Sequence, residues 1–233
     1  MSISLGSAET TLIKLTSAYC SFVNKGKLIK PKLIDRIQDS EGNTIFKTED
    51  RKCKDCKNIS YLSDETPNIQ DEFEQIFSPQ TAYQMTSILE GVIERGTGKK
   101  LKELNLQLAG KTGTTNNNTD TWFIGFTSNL VVGVYVGYDN PRSLGKFETG
   151  SKTALPIFKE FVKNAVNNYE ARPFKVAKGI KMMIVDSSTG KKADINSKDT
   201  IIESFKEEKI ANNNKIDIDN ITDVSKTNIL RFY

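Results

Sequence analysis

The sequence predicts an α+β fold in which antiparallel sheet strands are flanked by helices. Three observations carry that prediction. Apolar residues recur at spacings of three and four in three separate stretches, the helical period. Three apolar strand candidates follow one another between the second and third stretches. The last two are joined only by Ser128 and Asn129, which makes them a tight hairpin.

The elements justify themselves in order. A first helical reading begins at Ser7, carries Leu12, Leu15, Tyr19 and Phe22, and stops at Gly26. Leu33, Ile34 and Ile37 then lead into the turn signal Asp39-Ser-Glu-Gly-Asn43, with Ile45 and Phe46 beyond it, a β-hairpin. Residues 48–72 are polar and read as an exposed loop. Ser78-Pro79 is a helix start, a cap followed by proline at the first helical position. Ala82, Met85, Ile88, Leu89, Val92 and Ile93 form its buried stripe, and Arg95-Gly-Thr-Gly98 ends it. The strand candidates are 106–112, 122–127 and 130–139. A third helix follows, with Ala154, Ile157, Phe158, Phe161, Val162, Ala165, Val166 and Tyr169 on one face. After Arg172-Pro173 the composition shifts. One short strand is expected at 180–185, turned by Ser187 to Gly190, and a loose, polar end from Glu207 onward.

Composition narrows the function. The chain has 233 residues, 37% hydrophobic and 27% charged, with a formal net charge of +4. That charge is too small to argue for nucleic acid and would suit an anionic polymer or membrane face. The longest apolar run, Leu130 to Tyr138, is about half of the ~20 residues a spanning helix needs. The first residues lack a basic region followed by an apolar one, so no signal peptide is read. There is no histidine. Ser-His-Asp and Cys-His nucleophiles are therefore excluded, and acid–base chemistry falls to Lys, carboxylates or Tyr.

Leu108-Ala-Gly-Lys-Thr-Gly-Thr-Thr115 offers two motifs on the same letters. Gly110-Lys-Thr112 could end a phosphate-binding P-loop. That pattern needs glycine at 105, where Asn105 stands, and a helix opening at the lysine. The residues before Lys111 alternate as a strand, and TGTTNNNTDT after it cannot open a helix. Lys111-Thr-Gly113 instead suits a strand bordering an acyl-transfer site. The lysine brings positive charge, the threonine a hydroxyl, and the glycine room for an extended peptide.

The stretch GKTGTTNNNTDTWFIGFTSNLVVGVYVGYDNPRSLG resembles the bifunctional, class A penicillin-binding proteins of bacterial cell-wall synthesis. LGSAETTLIKLTSAYCSFVNKGKLIKPKLI, SPQTAYQMTSILEGVIERGTG, TGSKTALPIFKEFV and IKMMIVDSSTGKKA extend the likeness over about 200 residues. The resemblance implies part of the serine β-lactamase/penicillin-binding-protein-like transpeptidase fold. Residues 1–172 would be the C-terminal half of that domain, with an exposed loop at about 47–76, and 173–233 a tail. It implies that Lys111 and Thr114 serve catalysis, the latter through its backbone N–H as an oxyanion donor. Thr112, Gly113, Thr114 and Thr115 would bind the substrate's carboxylate end. Trp122 and Phe123 are expected in the core rather than at the substrate. No cofactor or metal is implied. The implied ligands are a peptidoglycan stem peptide and β-lactams.

The family's serine sits in a Ser-x-x-Lys box, with a Ser-x-Asn box after it, both before the point where Met1 aligns. Ser143-Leu-Gly-Lys146 and Ser188-Thr-Gly-Lys191 match the first pattern, but both read as turns. The expectation is a partial transpeptidase domain that lacks the nucleophile and exposes apolar surface. It would be inactive alone, or active with a separate chain carrying the Ser-x-x-Lys half. The alternative is a non-catalytic remnant or binding module. The family is periplasmic and anchored in the inner membrane. This chain shows neither signal nor anchor, which leaves the periplasm and the cytoplasm both open. For Cys53-Lys-Asp-Cys56 a solvated loop and a local disulfide stay open, while zinc lacks two ligands.

Overall fold

The computed structural model describes residues 8–48, 53–54, 68–69, 73–166 and 172–207. Helix α1, Leu12–Val23, starts at Thr11, whose hydroxyl accepts from the Lys14 N–H. The expected start at Ser7 is corrected: residues 8–11 are not helical, and the helix begins only after the Thr11 cap. The helix ends at Asn24, and Gly26 follows with φ of 83°. A Cβ on Gly26 would sit 2.2 Å from the Phe77 carbonyl oxygen. The left-handed turn and this close approach both require glycine. The Gly26 carbonyl accepts from Ile76 and Phe77 N–H, tying the exit of α1 to the entry of the next helix.

The expected hairpin is present as β1, Arg36–Gln38, paired with β2, Thr44–Lys47. The Asp39 carboxylate organises its turn by accepting from Glu41 and Asn43 N–H. Among the described residues no core covers it: Leu33 is 90% exposed and Ile45 68%. The expected loop at 48–72 contains a short ladder, β3 (Cys53–Lys54) against β4 (Asn68–Ile69). Cys56 lies outside the described residues.

Helix α2, Pro79–Glu94, is capped by Ser78, which accepts from the Thr81 N–H. Its inward face is Ala82, Thr86, Leu89 and Ile93. The expected stripe is corrected at Ile88, which is exposed. Thr86 takes an inward place because its hydroxyl donates to the Ala82 carbonyl, so its burial leaves no orphan donor. A 3-10 segment, Lys99–Leu104, follows and inserts Leu101 fully into the core, a feature the periodicity did not announce.

The central sheet has the order β5-β6-β7, all antiparallel: Ala109–Thr114, Asp120–Phe126 and Val131–Gly137. Strand alternation divides its side chains between two layers. Phe123 and Val134 join Leu101, Leu155, Phe158 and Val162 in the larger core. Ala109 and Phe126 join Leu89, with Tyr19 and Phe22 packed on them, on the other side. Helix α3, Ala154–Ala165, closes the first layer. Phe158 meets Phe123 edge to face at 4.8 Å. A Cβ on Gly125 would lie 2.6 Å from the Phe158 ring. The expected face of α3 is corrected: Leu155 is buried, while Ile157 and Phe161 are exposed. Tyr169 lies outside the described residues.

The tail is more ordered than one strand. β8, Ile180–Asp186, pairs along its full length with β9, Thr200–Lys206. β9 docks on α2: Gln84 Nε2 donates to the Ser204 carbonyl, Lys206 Nζ to Thr81 Oγ1, and Arg95 pairs with Glu203 at 2.5 Å. The loose end expected after Glu207 lies outside the described residues.

One shielded acid marks the α2–β5 seam. Glu90 accepts from Gln107 Nε2 at 2.6 Å, and Gln107 Oε1 accepts from the Phe174 N–H at 3.0 Å. Burial pushes the Glu90 carboxyl from its ordinary 4.5 up to about 7, the Gln107 bond opposing and the negative Glu94 assisting.

Two outcomes are expected. Gly125→Ala forces a methyl into the Phe158 ring and should cost about 1–3 kcal/mol in urea unfolding. The unfolded chain releases the Glu90 proton near pH 4.5, whereas the folded one holds it to about 7. Stability contributed by this group is therefore present at low pH and lost as pH rises through about 7. Glu90→Gln should remove that dependence, leaving the variant favoured above pH 7 by up to about 3 kcal/mol; parallel pH slopes would contradict this.

Candidate functional site

β5 is an edge strand, paired on one side only by β6. Its register sets Lys111 opposite Ile124, Thr112 opposite Phe123, Gly113 opposite Trp122 and Thr114 opposite Thr121. Thr115 N–H donates to the Asp120 carbonyl, continuing the ladder. The alternation of an antiparallel pair then turns the backbone groups of Thr112 and Thr114, on either side of Gly113, to the open edge. Lys111 and Gly113 share the sheet face that carries Trp122, Ile124 and Tyr135, while the side chains of Thr112 and Thr114 turn to the α3 side.

Each residue singled out by the sequence has a definite place. Lys111 is exposed, and its ammonium donates to the Thr112 carbonyl at 2.7 Å. No carboxylate among the described residues forms an ion pair with it, although Glu9 and Asp120 line the same cleft. The Thr112 hydroxyl lies 3.0 Å from that of Thr97. The Thr114 hydroxyl accepts from the Gly150 N–H at 3.1 Å. Thr115 is committed to its own turn: its hydroxyl accepts from the Asp120 N–H and lies 2.8 Å from the Thr119 hydroxyl. The turn itself needs Asn117 and Asn118 in left-handed conformation, which asparagine tolerates well.

Lys111 to Asn116 line an open cleft of about 1360 Å³, whose far wall is Leu12, Leu15 and Tyr19 of α1. Trp122 and Tyr135 form its aromatic side, edge to face at 4.8 Å. The expectation of Trp122 in the core is corrected by this placement. Phe123 is fully buried as expected. The two residues differ because strand alternation sends neighbours to opposite layers.

Reading the sequence missed Tyr135 and Gly150. A Cβ on Gly150 would lie 2.6 Å from the Gly113 carbonyl oxygen and 2.5 Å from that of Trp122. That glycine lets the loop before α3 press on the lysine-bearing strand. The signal was a glycine shortly before a helix start. Ser143 and Ser188 both sit in turns. Ser143 Oγ accepts from the Gly145 N–H, and Ser188 Oγ donates to Asp186. The first turn is pinned by Asn118, whose Nδ2 donates to the Gly145 and Lys146 carbonyls.

Known proteins resemble this chain over most of its length. Residues 1–163 match the family described as penicillin binding protein transpeptidase domain. The chain is 45% identical over 208 residues to penicillin-binding protein 1A of Rickettsia conorii, covering 88% of this chain and 26% of that protein. It is 31% identical to penicillin-binding protein 1A of Pseudomonas aeruginosa, covering 89% and 29%. The crystal structure of penicillin-binding protein 1A from Haemophilus influenzae superposes with a TM-score of 0.72 at 29% identity, covering 88% of this chain and 33% of that one. The chain thus spans about a quarter to a third of the relatives it matches. An edge strand bearing Lys-Thr-Gly above an open cleft, and a matching family over most of the length, lead to one conclusion: the chain belongs to the penicillin-binding protein transpeptidase family, with class A members as its relatives.

Proposed function

We propose that this chain supplies the Lys-Thr-Gly wall of a D,D-transpeptidase cleft that cross-links peptidoglycan stem peptides and is acylated by β-lactams. The observation that carries the reading is the Lys111 ammonium, without an ion-pair partner among the described residues, on an open strand edge. A substrate carboxylate would draw that ammonium from the Thr112 carbonyl, exchanging a neutral acceptor for a charged one. Thr112 and Thr114 would help hold the substrate through the backbone groups they turn to the open edge, since their hydroxyls face the α3 side beside Thr97 and Gly150, with Thr115 bracing the strand's exit. Gly113 leaves room for an extended peptide beside the edge. The Thr114 N–H, turned to that edge, would donate to the developing oxyanion.

The serine nucleophile and its lysine base are proposed to come from a Ser-x-x-Lys helix outside these 233 residues, either continuous with them or on a separate chain. One feature supports this. Ser143 and Ser188 lie in turns with their hydroxyls engaged, and neither lines the Lys111 cleft. Among the described residues, no helix is long and apolar enough to cross a membrane. The substrate's chemistry places the completed site on the cell-wall side of the membrane.

Intact-mass measurement of the 233-residue chain after incubation with benzylpenicillin should show no covalent adduct. An adduct mapped to Ser143 or Ser188 would overturn the assignment of the nucleophile. The chain's single tryptophan, Trp122, lies in the cleft and reports on it directly. Titration with N-acetyl-D-alanyl-D-alanine should change its emission, and Lys111→Ala should weaken that binding about tenfold or more. No response at millimolar peptide would favour a non-catalytic remnant.

A further inference from the structure

A second cavity, of about 700 Å³, shares no lining residue with the Lys111 cleft. It lies where α1, α2, the β6–β7 turn and residues 172–178 meet. Its rim carries Lys25, Arg172, Lys175 and Lys178, and among the described residues no Asp or Glu lines it. Phe22, Val23 and Phe174 give it an apolar wall. All four cations are exposed to solvent, so the cavity offers positive charge beside an apolar wall, which complements an anionic, partly apolar ligand.

The segment on its rim is held at both ends. The Phe174 N–H donates to Gln107, and its ring packs edge to face on Phe126 at 5.7 Å. The Lys178 carbonyl accepts from Gln80 Nε2 at 2.8 Å. Between these anchors, the backbone of Lys175 and Val176 has no hydrogen-bond partner among the described residues. Residues 172–177 belong to no helix or strand. Ser128, which also lines the cavity, keeps a shielded hydroxyl with no hydrogen-bond partner among the described residues.

We propose that this cavity binds an acidic peptide segment of a partner protein, whose carboxylates meet the four cations and whose apolar side chains rest on Phe22 and Phe174. A fixed stretch of unpaired backbone favours a peptide over a small anion, because a peptide supplies backbone donors and acceptors as well as charge. The proposal does not rest on the transpeptidase reading.

The test is fluorescence anisotropy on the 233-residue chain with a fluorescein-labelled hexapeptide of alternating aspartate and leucine. Saturable binding is expected, with no binding of the lysine–leucine counterpart and at least tenfold weaker binding of an aspartate–serine one. Arg172→Glu combined with Lys175→Glu should lower the affinity at least tenfold. Both residues are exposed, so the melting temperature should stay unchanged. Absence of saturable binding, equal affinity for the aspartate–serine peptide, full displacement by equimolar inorganic pyrophosphate, or an unaffected double variant would each overturn the proposal.

Discussion

The approach of Phe158 to Gly125 and Phe123 is the constraint on which the rest of the structure depends. It presses α3 onto the middle strand and fixes which residues of β6 face that helix. Pairing then transmits this choice to β5 and β7. Thr121, Phe123 and Gly125 face α3, so Trp122 and Ile124 must face α1. Lys111 and Gly113 follow them through the register. A slip of one residue would carry Lys111 into the α3 core and turn the Thr112 side chain to the α1 face. The position of the charge therefore rests on a contact made one strand away, between a glycine and an aromatic ring.

The two ends of the sheet use this scaffold differently. At the Lys111 end, the loop before α3 reaches the edge strand through Gly150, and the Thr114 hydroxyl accepts its N–H. The edge stays open toward the cleft while being braced from behind. At the other end, Phe126 holds Phe174, and Gln107 links the Phe174 backbone to Glu90 on α2. The rim of the basic cavity is thus fastened to the same sheet that positions Lys111.

Much of this was legible in the sequence where local chemistry decides. Ser78-Pro79 caps α2 as read, Gly26 marks the turn after α1, and the hairpin around Asp39 forms with its turn chemistry intact. The Lys-Thr-Gly strand was legible because alternation before Lys111 excluded a helix. What escaped depends on neighbours distant in the chain. Periodicity marked Ile88, Ile157 and Phe161 as apolar but could not say what covers them, and all three are exposed. Trp122 looked like core by residue type, whereas its strand parity faces it to the cleft. β9 escaped because Thr200–Lys206 lies in a stretch rich in Lys and Asp, and its partner β8 ends well before it at Asp186.

The central claim is that Lys111 completes a cleft whose serine lies on another segment. The most direct measurement supplies that segment: a class A transpeptidase segment carrying a Ser-x-x-Lys box, co-expressed with this chain and treated with fluorescent penicillin. The account predicts a label on the supplied segment's Ser-x-x-Lys serine that requires this chain and is lost with Lys111→Ala. A label equally strong without this chain, or unaffected by Lys111→Ala, would contradict it.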